Sequence, residues 1–130
     1  CQTIHDYAKL ISEIYKEYTG KGNTFVGINS NKQEDIEEII GYSEKNDFDF
    51  VMLKDWNNVI ADQFKASFTP EIYVVSPQLE LLYHGRIDED RKGENIQHHD
   101  LRITLDAILD GKEVPVKKTK AFGCTIKRVN

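Results

Sequence analysis

The sequence predicts an α/β domain, and three observations predict it. Apolar residues recur at three- and four-residue spacing in separate stretches, short β-branched and aromatic runs stand between them, and turn residues mark each change of period. The elements read α-β-α-(β)-α-β-β-α, followed by a tail. At 130 residues the chain suits one buried core. The body is read as residues 1–111 and the tail, packing back on it, as 112–130.

The first helix carries Ile4, Tyr7, Ala8, Ile11, Ile14, Tyr15 and Tyr18 on one face and ends near Gly20 or Gly22. Thr24–Ile28 reads as a short buried strand. Ser30 and Asn31, with Gln33 and Glu34 three residues beyond, form a capping-box pattern. They open a second helix, with Ile36, Ile39 and Ile40 inward, that runs to about Lys45. Phe48–Leu53 reads as extended, and Asn58–Phe64 as a short helix with Val59 and Ile60 on its apolar side. After Thr69-Pro70, Glu71–Ser76 and Leu79–Gly85 form a hairpin around Pro77-Gln78. A polar, charge-dense loop follows to Gln97. Asp100 then caps a last helix bearing Leu101, Leu105, Ile108 and Leu109, stopped at Gly111.

Composition narrows the function. With 39% hydrophobic and 30% charged residues the chain is neither disordered nor fibrous, and no apolar run approaches a membrane span. The net charge of −5 argues against a nucleic-acid partner. Residues 112–130 carry six basic residues against Glu113, a net +5 that leaves −10 on the body. A tail folding back on an acidic body follows from that split. The chain opens without Met, as a processed or excised segment would.

Two cysteines stand at opposite ends, Cys1 and Cys124. Cys1 heads the first helix, where unpaired N–H groups and the helix dipole favour thiolate. No Cys-x-x-Cys is present, since residue 4 is Ile, so Cys124 is the candidate resolving thiol. A bond between the two would close a loop stabilising by ~4–5 kcal/mol in the chain-entropy model. Either a redox couple or a static clamp fits this pair. An even cysteine count does not fix the compartment. His5 lies one helical turn from Cys1, so a soft-metal set of Cys1, His5 and distant His84 is a minor alternative to no metal at all. His98 and His99 read as solvated, and Trp56 as a packed loop aromatic.

Four stretches carry a family resemblance. They are Phe25-Val26-Gly27-Ile28-Asn29-Ser30-Asn31, Thr69-Pro70-Glu71, Tyr83-His84-Gly85-Arg86-Ile87-Asp88 and Gly123-Cys124-Thr125-Ile126. Together they resemble the thioredoxin-like redoxin superfamily, of the alkyl hydroperoxide reductase/thiol-specific antioxidant group. The nearest likeness is to a bacterial branch ending in Gly-Cys-x-Ile. The resemblance implies a thioredoxin-like sandwich with a central mixed sheet and a cis Thr69-Pro70 beside the reactive cysteine. It implies that Thr69 and Pro70 contact substrate, that Cys1 exchanges disulfides with protein or small-molecule thiols, and that no cofactor is needed. An extracytoplasmic location follows from the same likeness. Gln2 follows Cys1 where the branch has Pro, and His84 stands where Arg is common. The usual peroxide-polarising Arg is absent before Ile72, which favours exchange over peroxidase chemistry.

One element is missing. The resembled fold needs a strand before the first helix, between Thr24–Ile28 and the hairpin, and no residue here supplies it. An open central slot would leave backbone groups unpaired, so upstream residues or a second chain must complete the sheet. Two functional readings stand: a thiol–disulfide oxidoreductase, or a redox-inactive thioredoxin-fold binding module whose cysteines are structural.

Overall fold

Apolar spacing places the first helix correctly. In the computed structural model α1 spans Gln2–Thr19, with Tyr7, Ala8, Ile14 and Tyr18 buried as their shared face requires. The structure describes residues 2–31, 34–46, 48–88, 99–121 and 124–127, the side chains of 2–6 excepted. It is a small mixed α/β protein whose described strands form three two-stranded sheets. Among the described residues no helix is long and apolar enough to cross a membrane.

The chain divides into two units, Cys1–Tyr7 with Phe68–Cys124, and Ala8–Ser67 with Thr125–Asn130. In the second, β1 (Val26–Asn29) and β2 (Val51–Lys54) pair in parallel, Val26 opposite Val51 and Asn29 opposite Lys54. Helix α2 (Ile36–Lys45) makes the crossover between them. An aromatic set of Tyr15, Phe25 and Phe50 packs edge to face, with ring centroids of Tyr15 5.4 and 5.3 Å from the other two. Phe48 stacks on Phe50 at 5.1 Å.

Several expectations fail here, each for a physical reason. The cap of α2 is Asp35, whose carboxylate accepts the N–H of Glu38 at 2.8 Å. Asn31 instead donates its side-chain amide to Glu34 at 2.8 Å, which draws that carboxylate away from a capping box. Gln33 lies outside the described residues. Val26 and Ile28 are exposed rather than buried, as are Ile36, Ile40 and Val59, because nothing among the described residues covers these faces. Only Ile39 of α2 and Ala61 of α3 (Val59–Phe64) are buried. Trp56 is exposed too, with the Lys54 ammonium 5.6 Å from its ring. An apolar groove of about 540 Å³, lined by Ile36, Ile40, Met52, Leu53 and Trp56 among others, runs between α2 and β2.

The loop after β2 is fixed by one buried carboxylate. Asp55 accepts from Ser30 Oγ (2.8 Å), Ala61 N (3.0 Å) and Ile60 N (3.2 Å). It thus caps α3, whose formal cap residue Asn58 has no side-chain capping bond and sits at φ 57°.

In the first unit β4 (Ile72–Val75) and β5 (Leu81–Gly85) form the antiparallel hairpin, with Ile72 opposite Gly85 and Tyr73 opposite His84. Helix α4 (Asp100–Leu109) follows, with Leu101, Thr104, Leu105 and Ala107 buried and Leu109 exposed. Asp100 does not cap it. His99 is the cap residue, and the Asp100 carboxylate takes the Arg86 Nε at 2.6 Å instead. The charge-dense loop over 89–98 lies outside the described residues. The tail returns along β5: His84 donates its N–H to Lys117 O and accepts that of Thr119, both at 3.0 Å. Val114 and Ala121 are buried, while Val116 is exposed. β3 (Phe68–Thr69) pairs with β6 (Cys124–Thr125). Among the described residues no strand is hydrogen-bonded to both the β1–β2 and the β4–β5 ladder.

Gly85 is where the tail comes closest. A Cβ there would stand 2.1 Å from Thr119 Oγ1 and 2.6 Å from Thr119 O, at φ +155°. Gly85→Ala is expected to cost about 2 kcal/mol or more, read as a lowered denaturant midpoint. An unchanged midpoint would remove the close approach.

Asp55 supplies a second test. Burial pushes its carboxyl up, but hydrogen bonds from Ala61, Ser30, Ile60 and Val59 outweigh it and hold the carboxyl below the ordinary range. Its contribution is therefore complete above the ordinary carboxylate range and is lost as pH falls through the lowered folded value. Asp55→Ala should cost about 2 kcal/mol at neutral pH. Its deficit should shrink in acid, as measured by urea unfolding at several pH values.

Candidate functional site

The Thr69-Pro70 peptide is cis, as the sequence reading expects, and Pro70 is buried. β3 runs into this turn, and its ladder partner is the strand that bears Cys124. Cys124 is half-buried and disulfide-bonded, and among the described residues no cysteine is free. Cys1 lies outside the described residues, as do the side chain of His5 and the expected bend at Gly123. Thus the structure brings together Thr69, Pro70 and the strand of Cys124.

Glu71, directly after the proline, organises what surrounds them. Its Oε1 accepts the Phe68 N–H at 3.1 Å and its Oε2 accepts the Tyr73 hydroxyl at 3.0 Å. Oε2 also pairs with His84 Nε2. Tyr73 and His84 are directly opposite in the β4–β5 register, so their side chains share a face. Their rings stack at 4.3 Å with an interplanar angle of 11°. Burial, then the hydrogen bond and charge of Glu71, push the Tyr73 hydroxyl well above its usual range, so it stays a neutral donor.

The tail locks onto the same strand. Tyr83 donates its hydroxyl to Arg86 O at 2.6 Å, which leaves the Thr119 hydroxyl to donate to the Tyr83 oxygen, also at 2.6 Å. Thr119 Oγ1 in turn accepts the Arg86 N–H at 2.9 Å, closing a ring of three bonds. His84, the distant member of the minor metal alternative, is held by Glu71 and the tail backbone. Among the described residues no group of three metal-ligating side chains forms.

Sequence reading missed the partnership of Glu71, Tyr73 and His84. Glu71 and His84 stood in the quoted motifs, but only the hairpin register joins them. It also missed Asp88, whose side chain is 0% exposed. Its carboxylate meets His99 Nδ1 at 3.3 Å, so His99 is tied rather than simply solvated. The geometry serves Oδ2, leaving Oδ1 without a hydrogen bond. The Asp88 carbonyl accepts the buried Tyr7 hydroxyl at 3.0 Å.

Among known proteins, no described family and no curated protein matches this chain. Solved structures do match it, two of them as follows. One is a hypothetical protein from Sinorhizobium meliloti 1021, with a TM-score of 0.91 and 29% identity over 99% of this chain and 74% of that one. The other is an uncharacterized conserved protein from Geobacillus kaustophilus, with a TM-score of 0.88 and 29% identity over 95% of this chain and 69% of that one.

Burial pushes the Asp88 carboxyl up, opposed by the hydrogen bond and charge of His99 and by Arg102. A raised folded value means that stability is greatest below the ordinary carboxylate range and declines as pH rises through it toward the folded value. Asp88→Asn should abolish that decline, a relative gain on the order of 1 kcal/mol at neutral pH over acid pH. Denaturant midpoints of both proteins across pH measure it, and parallel curves would exclude the effect.

Proposed function

We propose that this chain is the greater part of a thioredoxin-like thiol–disulfide oxidoreductase. In this reading Cys1 at the head of α1 is the exchanging thiol and Cys124 resolves it. The observation that carries the reading is the placement of a disulfide-bonded Cys124 on the strand paired with β3, immediately before the cis proline. In this reading an extended substrate segment docks beside the cis-proline turn, which suits protein or small-molecule thiols as partners. The chemistry needs no cofactor: a thiolate attacks one sulfur, the other leaves, and the fold orients both.

The same reading includes a sheet completed from outside this sequence. Val26, Ile28, Val51 and Leu53 all stand exposed on the two-stranded β1–β2 sheet, which a further strand and its covering element would bury. About a quarter of the Sinorhizobium protein lies outside its match to this chain, room enough for such a segment.

A second reading is favoured by the closed state of Cys124: the disulfide is a clamp in a redox-inactive binding module. The reduction potential separates the two. Exchange chemistry places the midpoint in the range of about −120 to −270 mV, whereas a structural clamp falls below about −300 mV. Equilibration with dithiothreitol and mass spectrometry of alkylated protein measures it. A value in the lower range would leave the clamp as the function of Cys124.

A further inference from the structure

Among the described residues β2 has a ladder partner on one side only, β1, so its other edge faces no strand. The strand that the exchange reading brings in from outside lies beside β1, toward the hairpin, and leaves this edge as it is. The apolar groove of about 540 Å³ follows the same edge. Successive side chains of a strand point to opposite faces, so Leu53 lies on the face opposite Met52 and Lys54. All three line the groove, as side chains do around a cleft that runs along a strand's edge. On the facing wall α2 leaves Ile36 49% and Ile40 51% exposed, and Trp56 beyond the end of β2 is 58% exposed. Clustered apolar surface of this kind marks an interaction site.

The polar groups of the groove say what fits it. Ser43 Oγ, in the lining, is buried with no hydrogen-bond partner among the described residues, so an occupant that brings one removes a standing cost. Glu44 and Asp49, also in the lining, are exposed. Lys54, the cation there, is turned onto Asn29 Oδ1 at 3.4 Å and onto Asn31 O. Helix α2 as a whole carries Glu37, Glu38 and Glu44 against Lys45. The groove therefore has an apolar floor and an acidic rim, which complements cations. A second copy joined edge to edge would bring the same acidic rim to both sides of the contact. An anionic lipid surface would be repelled.

We propose that the edge of β2 and its groove bind an extended segment of a partner protein, apolar at alternate positions and flanked by Lys or Arg. The segment adds a strand to the β1–β2 sheet through backbone hydrogen bonds. One face of it buries apolar side chains against Ile36, Ile40 and Trp56. The flanking cations meet Glu44 and Asp49, and a polar group of the segment satisfies Ser43. This site is independent of the cysteines and of the exchange reading.

Trp56 is the chain's single tryptophan, so its emission reports occupation of the groove directly. The probe is a blocked synthetic peptide of alternating Val and Thr with Lys at both ends, titrated into the chain at low salt. A saturable blue shift is expected. The same peptide with Glu at its ends should bind about tenfold more weakly, as should one N-methylated along a single backbone edge. Ile40→Ser should weaken the Lys peptide about tenfold. Joint Glu44→Lys and Asp49→Lys, both at exposed positions, should reverse the order of the two charged peptides. That reversal decides the matter if Ile40→Ser does not fold. No saturable shift, equal binding of the Lys- and Glu-ended peptides, or indifference to N-methylation overturns the proposal. So does a Trp56 shift produced by protein concentration alone, which would assign the edge to a second copy. A shift with phosphatidylglycerol vesicles in place of the peptide would assign it to a membrane surface and overturn the proposal too.

Discussion

The first unit depends on a single carboxylate finding enough partners in a place where water barely reaches it. Glu71 gathers a backbone N–H from β3, a hydroxyl from β4 and an imidazole from β5, so three segments must be in register before it is satisfied. A buried carboxylate short of these bonds costs several kcal/mol, which makes the arrangement close to all-or-none. Because His84 also carries the tail on its backbone, the placement of Lys117 and Thr119 follows from the same constraint. The second unit repeats the logic with Asp55, whose oxygens collect Ser30 and the first N–H groups of α3.

These two carboxylates contrast with Asp88. Asp55 is hydrogen-bonded strongly enough to remain ionised despite burial, whereas Asp88 is more fully buried and its Oδ1 lacks a hydrogen bond. The difference lies in the supply of donors. A helix start offers several convergent N–H groups to Asp55, while among the described residues Asp88 Oδ2 meets one imidazole nitrogen at 3.3 Å.

How much was legible in the sequence follows from the range of each interaction. Helix α1, the hairpin and the stop at Gly111 were legible because period and turn chemistry act over a few residues, and Gly111 indeed sits at φ +67°. Burial was misread at Ile36, Ile40, Val26 and Ile28, where the apolar pattern is sound but its cover is not among the described residues. The cap of α2 was misplaced because Asp35, Asn31 and Ser30 are all competent caps, and only the competing Asn31–Glu34 bond selects among them. At the candidate site, Thr69, Pro70 and Cys124 stand in short motifs. The partnership of Glu71, Tyr73 and His84 was not legible there, since a cross-strand pair exists only once register is set.

The tail can now be divided by what holds it. Residues 117–119 are fastened to β5 by two backbone bonds, a ring of hydroxyl and amide bonds, and a contact only glycine at position 85 allows. None of these involves sulfur. Cys124, a few residues on, is fastened by its disulfide and by the short pairing of β6 with β3. Opening the disulfide therefore leaves the tail moored as far as Thr119, a few residues before Cys124. A tether of that length keeps a reduced Cys124 at high local concentration beside the cis-proline turn, by the reasoning that makes short linkers effective.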